Sequence, residues 1–261
     1  MKEDIISIYN KVKPKVIELG YSLRESKNNL TTNLKESLDI VTNMDFFIQD
    51  EIIKFIQHTF NKHQIFSEEL KNEYPYNLNK FIWILDPIDG TINYASGLPF
   101  YSISLALQKN NITLLGIIFA PELNEFYYSI KGKGAFLNEK QIYVSNKNFI
   151  KESTISFMLT SHYSEKENEI ILSLIKSISP YFRGLRLLVC LSLELGYIAS
   201  GRLDGTLCIK SRGYSSAAGV LLVKEAKGQI TNLSGEVYSM QSKNILATNK
   251  NIHDQIIKLI N

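Results

Sequence analysis

Cysteine and histidine are scarce in this sequence, and long apolar runs are missing. The two cysteines, Cys190 and Cys208, are too few for a disulfide framework, and they form no closely spaced set with the four histidines of the kind that holds zinc. No segment reaches the roughly 18 consecutive apolar residues of a membrane span. The first six residues mix both charges and lack the basic flank and apolar core of a signal peptide. These absences predict a protein of the reducing cytoplasm with no membrane segment.

An excess of one charge is also missing. The 261 residues include 29 lysines and arginines against 26 aspartates and glutamates, a formal net charge of +3. Because nucleic-acid-binding proteins present a strongly basic face, this balance argues against a dedicated nucleic-acid partner, although it leaves room for a local basic patch. The apolar share of 44% is enough, at this length, for the core of one large domain or of two closely joined lobes.

The apolar pattern changes in character near the middle of the chain. The first part has short alternating segments typical of antiparallel strands, whereas from about residue 151 strands alternate with helices. We therefore expect an N-terminal α+β lobe over residues 1–148 and a C-terminal α/β lobe over residues 149–261. Helices are predicted at both ends of the chain and over residues 44–60, 165–178, 191–200 and 217–227, the last closed by Gly228; strands are predicted over residues 81–85, 101–107, 112–119, 126–130, 153–159 and 245–247.

Two acidic residues follow one short apolar strand. Asp86 and Asp89 come directly after Ile-Trp-Ile-Leu, with Pro87 between them and Gly90-Thr91 behind them. Proline fixes the backbone, and the Gly-Thr pair allows a tight turn with exposed N–H groups that can meet an anion. Two carboxylates in such a turn can bind Mg²⁺, which prefers oxygen ligands and keeps room for water and phosphate oxygens. The alternative is an ordinary strand-to-turn connection, in which Asp86 caps the turn and Asp89 is solvated.

Further acidic residues lie upstream of this turn. Glu68-Glu69 follow an apolar segment, and Asp45 lies in the first turn of a predicted helix. Each alone has an ordinary explanation, since a Glu-Glu pair is usually a solvated surface feature and an acidic residue in the first helical turn favours the helix dipole. Their order along the chain, taken together with the turn at residues 86–91, matches a known pattern.

The sequence resembles the inositol monophosphatase family of magnesium-dependent, lithium-sensitive phosphatases over nearly its whole length. The most specific match is residues 83–94, which agree with the central motif of the family almost letter for letter. Residues 39–45 resemble its early Asp-x-Val-Thr-x-x-Asp element, and Glu68-Glu69 align with its Gly-Glu-Glu. The remaining matches are residues 116–121, 132–138, 201–205 and 217–219.

This resemblance implies a fold, a cofactor and an assembly. The fold would be a layered α-β-α-β-α sandwich of the sugar-phosphatase type, and the protein would form a homodimer. Mg²⁺ would be bound by Glu68, Asp86, the carbonyl of Ile88 and Asp89, with Asp86 bridging two ions.

The resemblance also implies roles in catalysis. Thr91 and Asp45 would orient and deprotonate the attacking water, with Glu68 as a further catalytic residue. The N–H groups of Gly90 and Thr91 would hold the phosphate, with Asp89 beside them. The implied reaction is hydrolysis of a small phosphate monoester, such as an inositol phosphate or a sugar phosphate, by a metal-activated water.

The sequence departs from the family on the substrate side. The last family signature, Trp-Asp-x-Ala-Ala-Gly, has an aspartate that binds the second metal, and Ser215 stands in its place. A hydroxyl is a weak neutral ligand, so the second ion should bind more loosely. Cys208 aligns with an acidic residue of many relatives, and Val189-Cys190-Leu191 align with a Gly-Ser-Ala segment. These replacements favour an alcohol that is less polar than inositol or differently shaped.

Two functions stay open at this point. The first is a working phosphatase with a changed substrate and a reduced metal count. The second is a scaffold that has lost efficient catalysis and acts by binding a partner protein or an RNA machinery, because Ser215 removes a residue that the mechanism uses directly. The four histidines, His58, His63, His162 and His253, are interpreted as surface or structural residues.

Overall fold

Most helix and strand boundaries follow the apolar pattern, but the strand predicted over residues 81–85 runs on to Asp89, so that Asp86 and Asp89 lie within the strand and not after it. The computed structural model describes residues 4–35, 38–70 and 79–261, so that residues 1–3 of the N-terminal segment considered above lie outside the described residues. Within these ranges the helices are α1 (Ile5–Glu25), α2 (Asn43–Thr59), α3 (Thr91–Ala95), α4 (Glu165–Ile178), α5 (Leu191–Ala199), α6 (Gly213–Glu225) and α7 (His253–Ile260). The strands are β1 (Thr32–Leu34), β2 (Ile40–Thr42), β3 (Gln64–Ser67), β4 (Ile82–Asp89), β5 (Ser102–Lys109), β6 (Ile112–Ala120), β7 (Glu125–Ile130), β8 (Gly134–Leu137), β9 (Lys140–Ile142), β10 (Thr154–Phe157), β11 (Gly184–Arg186), β12 (Gly205–Cys208), β13 (Gln229–Thr231) and β14 (Ile245–Thr248).

Helix α6 differs most from its predicted boundaries. It begins at Gly213, four residues before the predicted start, although glycine and serine are weak helix formers, because tertiary packing buries this first turn. The prediction that Gly228 closes the helix was wrong, since the left-handed residue is Lys227, with φ of 74°. Gly228 is needed for packing instead: a Cβ there would lie 2.7 Å from the carbonyl oxygen of Thr248.

The larger sheet has seven strands, and β4 is the second of them, next to the edge strand β3. Its strand order is β3-β4-β5-β6-β7-β8-β9, with β3 and β4 parallel and every later neighbour antiparallel. The register between β4 and β5 shifts near the end of β4, where Asp86 pairs with Ser104 but Asp89 pairs with Ser102. The extra residue on β4 is a bulge, a position in a sheet that tolerates proline, here Pro87.

The second main sheet, called the smaller sheet below, has five strands and is built from the second half of the chain, whereas β1 and β2 form a separate antiparallel pair. Its strand order is β11-β10-β12-β14-β13, in which β10 runs parallel to both its neighbours and β14 antiparallel to both of its own. The two sheets divide between the predicted lobes, since β9 ends at Ile142 and β10 begins at Thr154.

The layers follow from how each element divides its apolar side chains. On β4, Trp83 and Leu85 pack in a core with α1 and α2, whereas Ile82 and Ile84 pack in a second core with α5 and α6. The second core also takes residues of the smaller sheet, whose other face packs against α4 and α7. The order of layers is therefore helix, sheet, helix, sheet, helix, which confirms the predicted α-β-α-β-α sandwich.

The central helical layer ties the two halves of the chain together. Helices α5 and α6 are buried on nearly all sides, as expected for helices that are apolar all round. One apolar core contains residues of α5, α6 and both sheets, so the two halves of the chain are packed together. The division into lobes at residues 148 and 149 stays a prediction. In the described part of the chain, no helix is long and apolar enough to cross a membrane.

The close approach of α6 to the larger sheet yields a testable prediction. A Cβ on Gly116 of β6 would lie 2.6 Å from the carbonyl oxygen of Ala218 and 3.0 Å from its Cα, and neither backbone atom can move alone. We expect Gly116→Ala to lower the free energy of unfolding by about 1–3 kcal/mol, measured by urea denaturation. Gly184→Ala is the control, since its nearest neighbour is the flexible end of Arg186 at 3.3 Å. Equal effects of the two substitutions would contradict this account.

Candidate active site

A cavity lies where the end of β4 meets the central helical layer. It is bordered by the turn after β4, the segments after β10 and β12, and the first turns of α5 and α6. Its lining residues are Asp39, Glu68, Asp86, Ile88, Asp89, Gly90, Thr91, Ile92, Met158, Thr160, Ser161, His162, Val189, Leu191, Cys208, Lys210, Arg212 and Ser215. The cavity therefore brings the predicted motif residues, apart from Asp45, into one wall.

Asp86 is the most deeply buried carboxylate of this wall. Its side chain is 3% exposed, and its Oδ1 has no hydrogen-bond partner in the described structure. Burial, reinforced by the negative charges of Glu68, Asp89 and Asp45, raises its pKa well above the usual range. A buried carboxylate oxygen without a partner is costly in free energy unless a cation meets it.

Asp89 is held by the first turn of α5. The backbone N–H and the Oγ of Ser192 both donate to its Oδ2, at 2.6 and 2.7 Å. These bonds stabilise the charged form, but burial outweighs them and raises the pKa of Asp89 to about 6. The alternative of a solvated Asp89 in an ordinary turn is therefore wrong, since its residue is 9% exposed.

Asp45 and Thr91 form a hydrogen-bonded pair. Thr91 Oγ1 lies 3.2 Å from Asp45 Oδ1 and 2.8 Å from the carbonyl oxygen of Ile88, so that its one proton can serve only one of them at a time. Asp45 Oδ2 accepts from the N–H and Oγ1 of Thr42 at 2.7 and 2.6 Å, in the capping box of α2. Burial raises the pKa of Asp45 to about 7.

Glu68 reaches the same cavity but is engaged by cations. Its Oε1 lies 3.1 Å from both Lys35 Nζ and Arg212 Nη1. In their present arrangement, the described residues contain no group of three or more acidic, histidine or cysteine side chains arranged to hold a metal ion. The donors still fit a hard cation, because Asp86 has a free buried oxygen beside the carbonyl of Ile88 and the carboxylate of Asp89.

Gly90 sets the shape of the turn. Its φ of 86° is left-handed, and a Cβ there would lie 2.7 Å from the carbonyl oxygen of Phe100, so that only glycine fits. Gly90 and Thr91 line the cavity where the short helix α3 begins. Their predicted role in holding phosphate stays a prediction.

Asn93 is a site-building residue that the sequence analysis did not single out. Its Nδ2 donates to the carbonyl oxygens of Phe100 and Leu188, each at 2.7 Å. It thereby joins the turn after β4 to the segment before α5. The sequence offers only its position two residues after the Gly-Thr pair, because the burial that makes its amide need partners is seen in the structure alone.

The apolar wall is formed by Met158, Val189, Leu191 and Cys208. Val189 adopts a left-handed φ of 55°, which is strained for a β-branched residue. Both cysteines are buried and free, as expected for small core residues. Burial raises the pKa of the Cys208 thiol to about 12.

Ser215 lies at the cavity, in the first turn of α6, and supplies no carboxylate there. Its Oγ donates to the carbonyl oxygen of Arg212 at 3.3 Å. The histidine interpretation holds for His253, which is buried between Thr231 and Thr248. It differs for His162, which lines the cavity 3.9 Å from Asp39.

Glu194 of α5 lies behind the cavity and is fully buried. Ser156 Oγ and Thr206 Oγ1 each donate to its Oε2 at 2.7 Å, whereas its Oε1 has no partner in the described part of the chain. Burial raises its pKa to about 7, although the two hydroxyl groups act in the opposite direction.

Comparison with known proteins identifies the class. The fructose-1,6-bisphosphatase/inositol-1-monophosphatase of Thermotoga maritima is 36% identical over 223 residues, which cover 85% of this chain and 83% of the relative. A solved structure of an IMPase from the same organism matches with a TM-score of 0.86 and 33% identity, covering 94% of this chain and 93% of its own. The class is that of phosphatase enzymes with the layered α/β fold.

The particular family follows from a match over residues 2–261. This match is to the inositol monophosphatase family, and the chain belongs to it. A relative with a different name is the Nus factor SuhB of Pasteurella multocida, 29% identical over 248 residues, which cover 94% of this chain and 90% of the relative. The predicted family resemblance is confirmed.

The strained Val189 yields a prediction about stability. Glycine adopts a left-handed conformation without the steric cost of about 1–2 kcal/mol that a Cβ brings. We expect Val189→Gly to be more stable than Val189→Ala by about 1 kcal/mol, the reverse of the usual order, because both lose the isopropyl group but only the glycine relieves the strain. Urea denaturation of the two variants measures this difference, and an alanine variant at least as stable as the glycine variant would refute it.

Glu194 yields a prediction about pH. The unfolded carboxyl has a pKa of 4.5 and the folded one about 7, so the native state keeps a proton that the unfolded chain releases. This contribution to stability is complete below pH 4.5 and is lost as the pH rises to about 7, a loss on the order of 3 kcal/mol. Glu194→Gln, which keeps the neutral form, should lack this loss when unfolding is followed in a chelating buffer. The exposed Glu169→Gln is the control, and identical pH profiles for wild type and Glu194→Gln would contradict the assignment.

Proposed function

We propose that this protein is a Mg²⁺-dependent phosphomonoesterase that hydrolyses a small phosphorylated alcohol. The observation that carries the proposal is the buried oxygen of Asp86, which has no hydrogen-bond partner among the described residues, together with Asp89 and the Thr91–Asp45 pair. Glu68, Asp86, the carbonyl of Ile88 and Asp89 would hold the metal. When bound, Mg²⁺ neutralises charge on the transferring phosphoryl group and makes water a better nucleophile.

The Thr91–Asp45 pair orients and deprotonates the attacking water. Thr91 Oγ1 can accept a hydrogen bond from water while it donates its own proton to Asp45, and Asp45 is in turn fixed by Thr42. The pKa of about 7 on Asp45 suits a general base that works near neutral pH. Gly90 and Thr91, at the start of α3, offer N–H groups to the phosphate.

The apolar wall supports an alcohol less polar than inositol. Val189, Leu191 and Cys208 offer methyl, methylene and thiol groups where a polyol would need hydrogen-bond partners. The substrate class thus becomes phosphate monoesters whose alcohol has an apolar face, with sugar phosphates and inositol phosphates as the reference compounds. The proposal also includes a location in the cytoplasm and assembly as a homodimer.

A second candidate function is a binding or regulatory scaffold. Ser215 supports it, because the first turn of α6 brings no carboxylate to the cavity. The similarity to a relative named as a Nus factor supports it as well.

Phosphate release over a panel of phosphate monoesters tests the proposal. We expect turnover that requires millimolar Mg²⁺ and that Asp86→Asn lowers by at least about a thousandfold, since that carboxylate would meet the metal directly. Asp50→Asn, on the exposed face of α2, is the matched control and should keep full activity.

Ser215→Asp separates the two candidate functions. Turnover only after this substitution would mean that catalysis has been lost at one position. If neither the wild type nor Ser215→Asp released phosphate from any ester of the panel, the phosphatase proposal would be overturned and the scaffold favoured.

A further inference from the structure

The Glu68 carboxylate lies between two cations at the edge of the cavity. Lys35 Nζ and Arg212 Nη1 contact the same oxygen, Oε1, each at 3.1 Å. Lys35 also contacts Glu69 at 2.5 Å, and Arg212 lies 3.8 Å from Asp39. Glu68, Glu69 and Asp39 therefore have counter-charges supplied by the chain itself.

Two further carboxylates of the same wall, Asp86 and Asp89, have no cation in contact with them in the described part of the chain. Asp86 and Asp89 form no ion pair with a lysine, arginine or histidine in residues 4–35, 38–70 and 79–261, and Asp86 keeps its unpartnered Oδ1. Two buried carboxylates without a cationic partner in the described residues match the charge of one divalent cation. This difference in charge compensation indicates that a metal ion would bind at Asp86 and Asp89.

Arg212 and Ser215 lie in one turn, which links these two observations. Arg212 is the residue directly before α6, and its carbonyl oxygen accepts a hydrogen bond from Ser215 Oγ at 3.3 Å. The start of α6 thus brings a guanidinium group to Glu68 and only a hydroxyl group to the cavity. Arginine stays charged at any pH at which the protein is folded, so this cation cannot leave by losing a proton.

We propose that Arg212, assisted by Lys35, supplies the positive charge at Glu68, so that the centre takes one tightly bound divalent ion at Asp86 and Asp89 and no second one beside Glu68. The proposal rests on the proposed metal dependence and specifies its stoichiometry. Arg212 is a positioning residue in this scheme, since it fixes Glu68 through Oε1 and leaves Oε2 for the single ion. A second ion beside Glu68 would have to displace the guanidinium group or lie against its charge.

Mn²⁺ binding tests the stoichiometry without any measurement of turnover. Purified full-length protein is titrated with Mn²⁺, and free Mn²⁺ is counted by electron paramagnetic resonance. We expect one tight ion per chain in the wild type and in Arg212→Lys, which keeps the charge, and none in Asp86→Asn. Spectra of the bound ion should lack the broadening that a neighbouring Mn²⁺ causes.

Removing the cation should open a second site. We expect Arg212→Gln combined with Ser215→Asp to bind two ions, the second at least tenfold more tightly than Ser215→Asp alone binds it. Thermal unfolding of each variant checks its fold, and if the double variant does not fold, the wild-type stoichiometry decides. Two tight ions in the wild type would overturn this inference and leave the proposed phosphatase intact, whereas no bound ion would overturn both.

Discussion

The confinement of β4 between two helical layers is the constraint on which the site depends. Both faces of this strand are covered, so its side chains alternate between two cores and its end carries Asp86 and Asp89 into the interior. A strand at an exposed edge would leave the same carboxylates in water, where they would be ordinary acidic residues. The bulge at Pro87 adds the residue that turns both carboxylates to one cavity.

Burying several carboxylates together has to be compensated, and the chain uses three different devices. Asp89 accepts hydrogen bonds from the first turn of α5, Asp45 accepts them from the capping residue of α2, and Glu68 is paired with two cations. Asp86 alone is left without such a device in the described structure. The unfavourable free energy of burying these carboxylates therefore falls mainly on Asp86 Oδ1, and this is the atom at which a bound cation would be most stabilising.

Local signals in the sequence were sufficient for most helices, for the longer strands and for the motif, but not for most of the short strands or for the partners of the motif. The apolar period predicted α4 to the residue, and the Asp-Pro-Ile-Asp-Gly-Thr turn was identified because its residue types suit a single chemistry. Arg212 and Lys35 lie far from Glu68 along the chain, and each is an ordinary surface type on its own. Their contacts depend on how α6 and the segment after β1 dock, which neither composition nor periodicity encodes. The early start of α6 was missed for the same reason, because tertiary burial outweighs the weak helix propensity of glycine and serine.

The amide of Asn93 has a consequence for how the protein is synthesised. It joins the turn after β4 to Leu188, and the cavity lining extends as far as Ser215, so the cavity is not complete until the ribosome has released more than two hundred residues. Until then the face of the larger sheet that carries Ile82, Ile84 and Ile118 is not covered, because α5 and α6, which pack on it, have not yet been synthesised. A nascent chain stalled before that point would present a broad apolar sheet surface to other chains, and its main hazard would be aggregation rather than unregulated hydrolysis.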